Sequence, residues 1–144
     1  MDLEGFANSE KCNLAINPNT PPETLARLAV DEDKWVRSNV AENQNTPLKI
    51  LDLLANDEFT CVRFFVAQNP KTTPETLNCL ADDKSWWVRH HVAQNQNTQP
   101  ETLARMANDD DFDICYRVSI NPNTTKYVIE YFRAVRFMKE CYES

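Results

Sequence analysis

Apolar residues return along this chain every 26 positions. Leu14, Val40, Val66, Val92 and Val118 hold one place in the unit. Leu25, Leu51, Leu77, Leu103 and Ile129 hold another, with Leu28, Leu54, Leu80, Met106 and Phe132 three residues later. Polar places keep the same step: Asn17, Asn43, Asn69, Asn95 and Asn121, then Thr20, Thr46, Thr72, Thr98 and Thr124. Self-similarity at this period is the mark of a stacked array in which no unit can bury its apolar face alone.

Within a unit the pattern predicts two helices. The first, helix A, is set by valine pairs at i, i+4: Val36/Val40, Val62/Val66, Val88/Val92 and Ile114/Val118. At 100° per residue, Val36, Arg37, Val40 and Ala41 share one side, and Trp35, Ser38, Asn39 and Glu42 share the other. The second, helix B, buries Leu25, Leu28 and Ala29 at i, i+3, i+4. Asn17-Pro18-Asn19 breaks the chain between them. The run Thr20-Pro21-Pro22-Glu23 then predicts a helix start, with Thr20 as N-cap, Pro21 in the first turn and Glu23 closing a capping box. Thr72 to Glu75 and Thr98 to Glu101 repeat it, while Thr46 keeps the cap without the Glu. The asparagine that ends helix A suits a left-handed terminal residue and can bridge neighbouring loops.

Acidic corners follow helix B: Asp31-Glu32-Asp33, Asp57-Glu58, Asp82-Asp83 and Asp109-Asp110-Asp111. They stand where the next helix begins, and negative charge is favoured there. Each arginine on the packed face of helix A must find a carboxylate or carbonyl, because a buried charge is costly unless paired. The ends depart from the unit: residues 1–13 read as an N-terminal cap, 14–123 as the tandem units and 124–144 as a long C-terminal capping helix. Val128, Ile129, Phe132, Val135, Met138 and Tyr142 trace its apolar side, and Tyr127, Tyr131 and Phe137 widen it. Sealing the open end of the stack is the favoured reading; a homodimer contact is the other.

Composition narrows the function. A formal charge of −7 argues against a nucleic-acid or anionic-membrane surface. No apolar run is long enough for a transmembrane helix, and the acidic start, Met1-Asp-Leu-Glu, is unlike a signal peptide. Five cysteines without a C-x-x-C pair suit a reducing, cytoplasmic setting. A single glycine leaves no phosphate-cradling loop. His90 and His91 point about 100° apart on a helix and make a poor metal pair. Nothing in the spacing demands a nucleophilic set from Cys115, His91 and Asp113. No metal, cofactor or catalytic residue is assigned.

The stretch Val-Arg-x-x-Val-Ala-x-Asn-Pro-x-Thr-Pro-x-Glu-x-Leu-x-x-Leu-Ala-x-Asp resembles the leucine-rich repeat variant family over residues 14 to about 132. Asp31…Val36-Arg37, Asp57…Val62-Arg63 and Asp83…Val88-Arg89 also resemble HEAT-type repeats. Both resemblances imply an all-α, right-handed α-solenoid of about five two-helix units. They imply further that Asp31/Arg37, Asp57/Arg63 and Asp83/Arg89 form a structural ladder between units. The family's founding protein carries an iron–sulfur cluster in a Cys-rich N-terminal segment; here only Cys12 stands there, so no cluster is expected. The fourth Arg place is taken by Cys115, and the fifth unit lacks the Pro-x-Glu helix start. Some HEAT-like solenoids cradle duplex DNA, but they need a basic concavity that this acidic chain does not offer.

In such an array, the places that change from unit to unit are free to meet a partner. On the outward side of helix A these include Trp35, Phe64, Phe65, Trp87, His90, His91, Tyr116 and Arg117, with Ser38 and Asn39 in the same columns. Aromatic residues and Arg are enriched at interface hot spots. The expectation is a non-enzymatic module that binds a protein or peptide through this stripe on a concave surface. The alternative is a small anionic or nucleotide-like ligand held in the same groove.

Overall fold

The computed structural model describes residue 3 and residues 5–142, of which 135–142 as helix alone. The described residues form ten helices and no strand. Five long helices supply helix A of successive units: α1 (Asn8–Ile16), α3 (Lys34–Glu42), α5 (Thr60–Gln68), α7 (Trp86–Gln94) and α9 (Phe112–Ile120). Four shorter ones supply helix B: α2 (Pro22–Leu28), α4 (Leu48–Leu54), α6 (Pro74–Leu80) and α8 (Pro100–Met106). The last, α10 (Lys126–Tyr142), is the longest and packs on α9. The architecture is a solenoid of helical repeats.

The core is one continuous column of like-placed side chains. Val36, Val62, Val88 and Ile114 are fully buried, as are Ala15, Ala41, Ala67 and Ala93, with Leu25, Leu51, Leu77 and Leu103 facing them from the short helices. The alanines let each long helix lie directly on the long helix before it, and the contacts of α1, α3, α5, α7 and α9 with one another are the most extensive between helices among the described residues. The short helices stand apart. Grooves of about 860 and 380 Å³ open beside them, one between α4 and α6 and one where α8 meets the corner after α6.

Two recurring polar residues have roles other than those their spacing suggests. Thr20 is no N-cap: its hydroxyl donates to the Leu14 carbonyl at 2.6 Å. Thr46, Thr72 and Thr98 do the same to Val40, Val66 and Val92 at 2.5, 2.6 and 2.6 Å, and Thr124 to Val118. The threonine therefore closes the end of helix A, and helix B starts later. Its N-caps are Pro21, Pro47, Thr73 and Gln99, and only Thr73 accepts a bond through its side chain. Pro22, Pro74 and Pro100 each open a helix, where a missing N–H is harmless.

The asparagines are not left-handed, since among the described residues only Gly5 has positive φ. Asn43, Asn69, Asn95 and Asn121 end their helices in extended conformations. Each buried side-chain amide donates back to the preceding unit. Asn69 Nδ2, for example, reaches the carbonyls of Ala41 and Asn43 at 2.7 and 3.2 Å while its oxygen accepts from the Lys71 N–H at 2.9 Å. Asn43, Asn95 and Asn121 repeat this on Ala15/Asn17, Ala67/Asn69 and Ala93/Asn95.

The charge ladder runs in a different register from Asp31/Arg37, Asp57/Arg63 and Asp83/Arg89. Each arginine pairs its fork with the aspartate of the next unit: Arg37 with Asp57 at 2.6 and 3.0 Å, Arg63 with Asp83 at 2.6 and 3.1 Å, Arg89 with Asp109 at 2.7 and 3.0 Å. Within its own corner each arginine donates to the aspartate's backbone carbonyl, at 2.8 Å for Asp31, 2.7 Å for Asp57 and 2.9 Å for Asp83. One planar guanidinium thus braces its own loop and clasps the following one. Lys11 holds Asp31 at 2.8 Å in the equivalent place.

Cys115, which takes the place after Arg89, has no aspartate to reach, because the residue 20 further on is Val135. Its thiol donates to the Asp109 carbonyl at 3.1 Å, the acceptor an arginine would take in its own corner. The aspartates also form the corners: Asp57 and Asp83 accept from the N–H groups of Phe59 and Ser85 at 2.9 and 2.8 Å.

Burial is the largest single influence on Asp57 and Asp109 and pushes their pKa up, but the hydrogen bonds from Arg37 and Arg89, the backbone N–H groups of Phe59 and Asp111 and the guanidinium charges together bring both below the ordinary value of 3.8. The same bonds lift Arg37 and Arg89 above theirs.

The C-terminal helix buries Val128, half-buries Phe132 against Phe112 with ring centres 5.8 Å apart, and leaves Tyr127 and Tyr131 exposed. Val135, Phe137, Met138 and Tyr142 lie outside the residues whose side chains are described.

Candidate functional site

The outward side of the long helices is where the units differ, and there the aromatic residues collect. Along the column Trp35, Cys61, Trp87 and Asp113, both tryptophans are exposed, Trp87 by 50%. Phe64 and Phe65 are half-buried on α5 and touch the core with one edge. Their rings meet edge to face with centres 4.9 Å apart, and Phe64 stands 6.4 Å from Trp87 and 4.4 Å from His91. Trp86 and Trp87 stack at 4.1 Å. Such contacts lock large rings into a rigid surface at little further entropic cost. Between them lies a shallow hollow of about 400 Å³ lined by Thr60, Cys61, Phe64, Phe65 and Trp87.

Two residues expected at the surface are inside. Ser38 is fully buried and His90 is only 8% exposed. The inner long helices α3, α5 and α7 have a long helix on both flanks, so the column that begins with Ser38 runs along a helix–helix seam. A short side chain there is covered by its neighbours; only Tyr116, at the far end of the column, is well exposed. The aromatic site is therefore built from Phe64, Phe65, Trp86, Trp87 and His91. Trp35 lies two units away from Trp87. Trp86 escaped the sequence reading because only one such place in the array carries an indole, and no column marks it.

His90 Nδ1 comes within 2.8 Å of the Asp113 carboxylate, off the direction of a ring hydrogen bond, and Arg117 Nε approaches the same oxygen at 3.8 Å. Asp113 thus lies against both His90 and Arg117. The neighbouring His91 is held below its ordinary 6.5, chiefly by burial, while its Nδ1 sits 3.0 Å from the Trp87 carbonyl. Burial thus disfavours the charged ring, and in the tautomer with its proton on Nδ1 the imidazole donates to the Trp87 carbonyl. Cys115 does not join His91 and Asp113 in a nucleophilic set: its thiol is tied into the ladder, and burial pushes its pKa up, away from thiolate. Among the described residues, no group of three or more His, Cys, Asp or Glu could hold a metal ion, and no helix is long and apolar enough to cross a membrane.

Comparison with known proteins gives likenesses of two kinds, to a family model and to a solved structure. Residues 86–111 match the family model described as Leucine rich repeat variant. That stretch is one 26-residue unit, and it includes both Trp86 and Trp87. A solved structure described as a leucine-rich repeat variant with a novel repetitive protein structural motif aligns with 90% of the chain at 20% identity and a TM-score of 0.41. The chain spans 61% of that protein's length. No curated protein sequence matches.

Proposed function

We propose that this chain, a leucine-rich repeat variant protein, is a binding module that recognises a protein or peptide through the outward face of its long helices. The observation that carries the reading is the apolar hollow between Phe64, Phe65 and Trp87. A half-exposed tryptophan beside two phenylalanines and a cysteine is poorly hydrated, and burying it under a partner side chain is favourable. Rigid aromatic residues around a central pocket are also the usual composition of a hot spot.

The shape of the stack supports the same face. The long helices pack on one another while grooves open beside the short ones, and an array bent towards its long helices would carry the aromatic face on the inner side. Inner faces of solenoids are extended recognition surfaces. A small anionic ligand is less well served, because Asp113 already lies against His90 and Arg117. Capture of partners from native lysate tests the reading, comparing wild type with Trp87→Ala. Trp87 is half exposed, so its loss should leave Tm within a few degrees while weakening capture by about 2 kcal/mol. Equal capture by both proteins would remove Trp87 from the site.

A further inference from the structure

The charge at the corners where the long helices begin specifies what kind of segment the hollow takes. We propose, resting on the function above, that the occupant is a cationic peptide segment: one large apolar side chain seated between Phe64, Phe65 and Trp87, flanked by lysine or arginine. The hollow itself is almost wholly apolar, and its volume of about 400 Å³ sits at the low end of ligand pockets, about 300–1,000 Å³. That is room for an anchor side chain rather than for a folded domain.

The charges lie along one edge. Thr60 both opens α5 and lines the hollow, and the exposed Glu58 stands two residues before it. In the neighbouring units the same edge carries Glu32 and Asp110 exposed, with Asp33 and Asp111 capping α3 and α9. Lys84 interrupts the row at the edge of α7. These carboxylates differ from the ladder aspartates, whose charge is already met by Arg37, Arg63 and Arg89. At −7 overall, the protein also repels an acidic segment before contact and attracts a basic one.

The chain itself shows how this face treats an ammonium group. Lys34 Nζ lies 5.3 Å from the Trp35 ring centre and 4.9 Å from that of Phe59. Trp87 occupies the same column as Trp35, two units on. There the place of the lysine is filled by Trp86, which stacks on Trp87. A partner's lysine or arginine can supply at Trp87 the cation–π contact that Lys34 makes at Trp35.

Selection of a displayed library of random short peptides on the full-length protein tests the proposal, with enriched sequences remade and titrated by fluorescence anisotropy. The expected result is enrichment of a Phe, Trp or Leu with Lys or Arg beside it. Such a peptide should lose about tenfold in affinity on Glu58→Lys with Asp110→Lys, two exposed positions, and weaken steadily with salt. Its neutral-flanked analogue should be indifferent to both changes. Enrichment of neutral or acidic peptides that lose affinity on Trp87→Ala would overturn the charge assignment and leave the binding face standing. Peptides indifferent to Trp87→Ala, or no enrichment above an unrelated repeat protein, would overturn both.

Discussion

Replacing Arg63 with methionine isolates one rung of the charge ladder. The wild-type side chain gives two bonds to Asp83, at 2.6 and 3.1 Å, and two to the carbonyls of Asp57 and Glu58, at 2.7 and 3.1 Å. The two side chains are 8% and 7% exposed, so water cannot take over for either. Methionine keeps most of the packing volume but leaves the Asp83 carboxylate with the Ser85 N–H as its remaining bond. Removing one partner of a buried pair costs about 3–5 kcal/mol, most of it the desolvation of the charge left behind. With a urea slope of about 1–3 kcal/mol per molar, the unfolding midpoint should fall by more than about 1 M.

The double variant Arg63→Met with Asp83→Leu should recover much of that loss, because no charge is then stranded. Arg63→Lys should recover less, since an ammonium cannot present a fork to a carboxylate while reaching two carbonyls. Circular dichroism through a urea titration reads these three variants, wild type and the single variant Asp83→Leu that completes the cycle. A flatter slope in Arg63→Met would mean that the array now parts at this joint into separately melting blocks. The reasoning fails if Arg63→Met stays within about 1 kcal/mol of wild type, or if the two single losses simply add in the double variant.

Three further outcomes are expected. Asn69→Ala, which removes the amide's bonds to the Ala41 and Asn43 carbonyls and the acceptor of the Lys71 N–H, should cost about 2–4 kcal/mol, whereas Asn39→Ala, with a single bond of 3.4 Å to Cys12, should cost under about 1 kcal/mol in the same titration. Asp57 and Asp109 have depressed folded values, so their contribution is intact above the ordinary 3.8 and is lost as pH falls through the lower folded value. Midpoints measured down a pH series should therefore fall steepest below 3.8, and Asp57→Asn should flatten that fall. Peptide mapping after brief thiol labelling should find Cys79, which is exposed, modified well before Cys115, which is buried with a raised pKa.

The period and the core columns could be read directly from the chain because stacking forces like positions to lie over one another. The ladder's register could not. In a 26-residue repeat, an aspartate 6 residues before Arg37 and one 20 residues after it belong to the same column, so spacing alone cannot tell Asp31 from Asp57. Thr20 likewise fits a capping box on paper. Its hydroxyl bonds backwards because the helix begins two residues later, at Pro22. Ser38 and His90 were misplaced because a helical wheel treats one helix by itself, and here two flanking helices close over the seam. The gathering of Phe64, Trp86, Trp87 and His91 needed coordinates: it joins residues of α5 and α7 that no single turn places together.

The asparagine bonds all point one way, each amide donating to the unit before it. The stack consequently has a head and a tail, like a row of hooks and eyes. Duplicating any 26 residues in frame would supply a fresh hook for the old eye and a fresh eye for the next hook, so length can change in whole steps. A single residue inserted between Val66 and Asn69 would displace a hook from two eyes at once, and every unit beyond it would lose its phase.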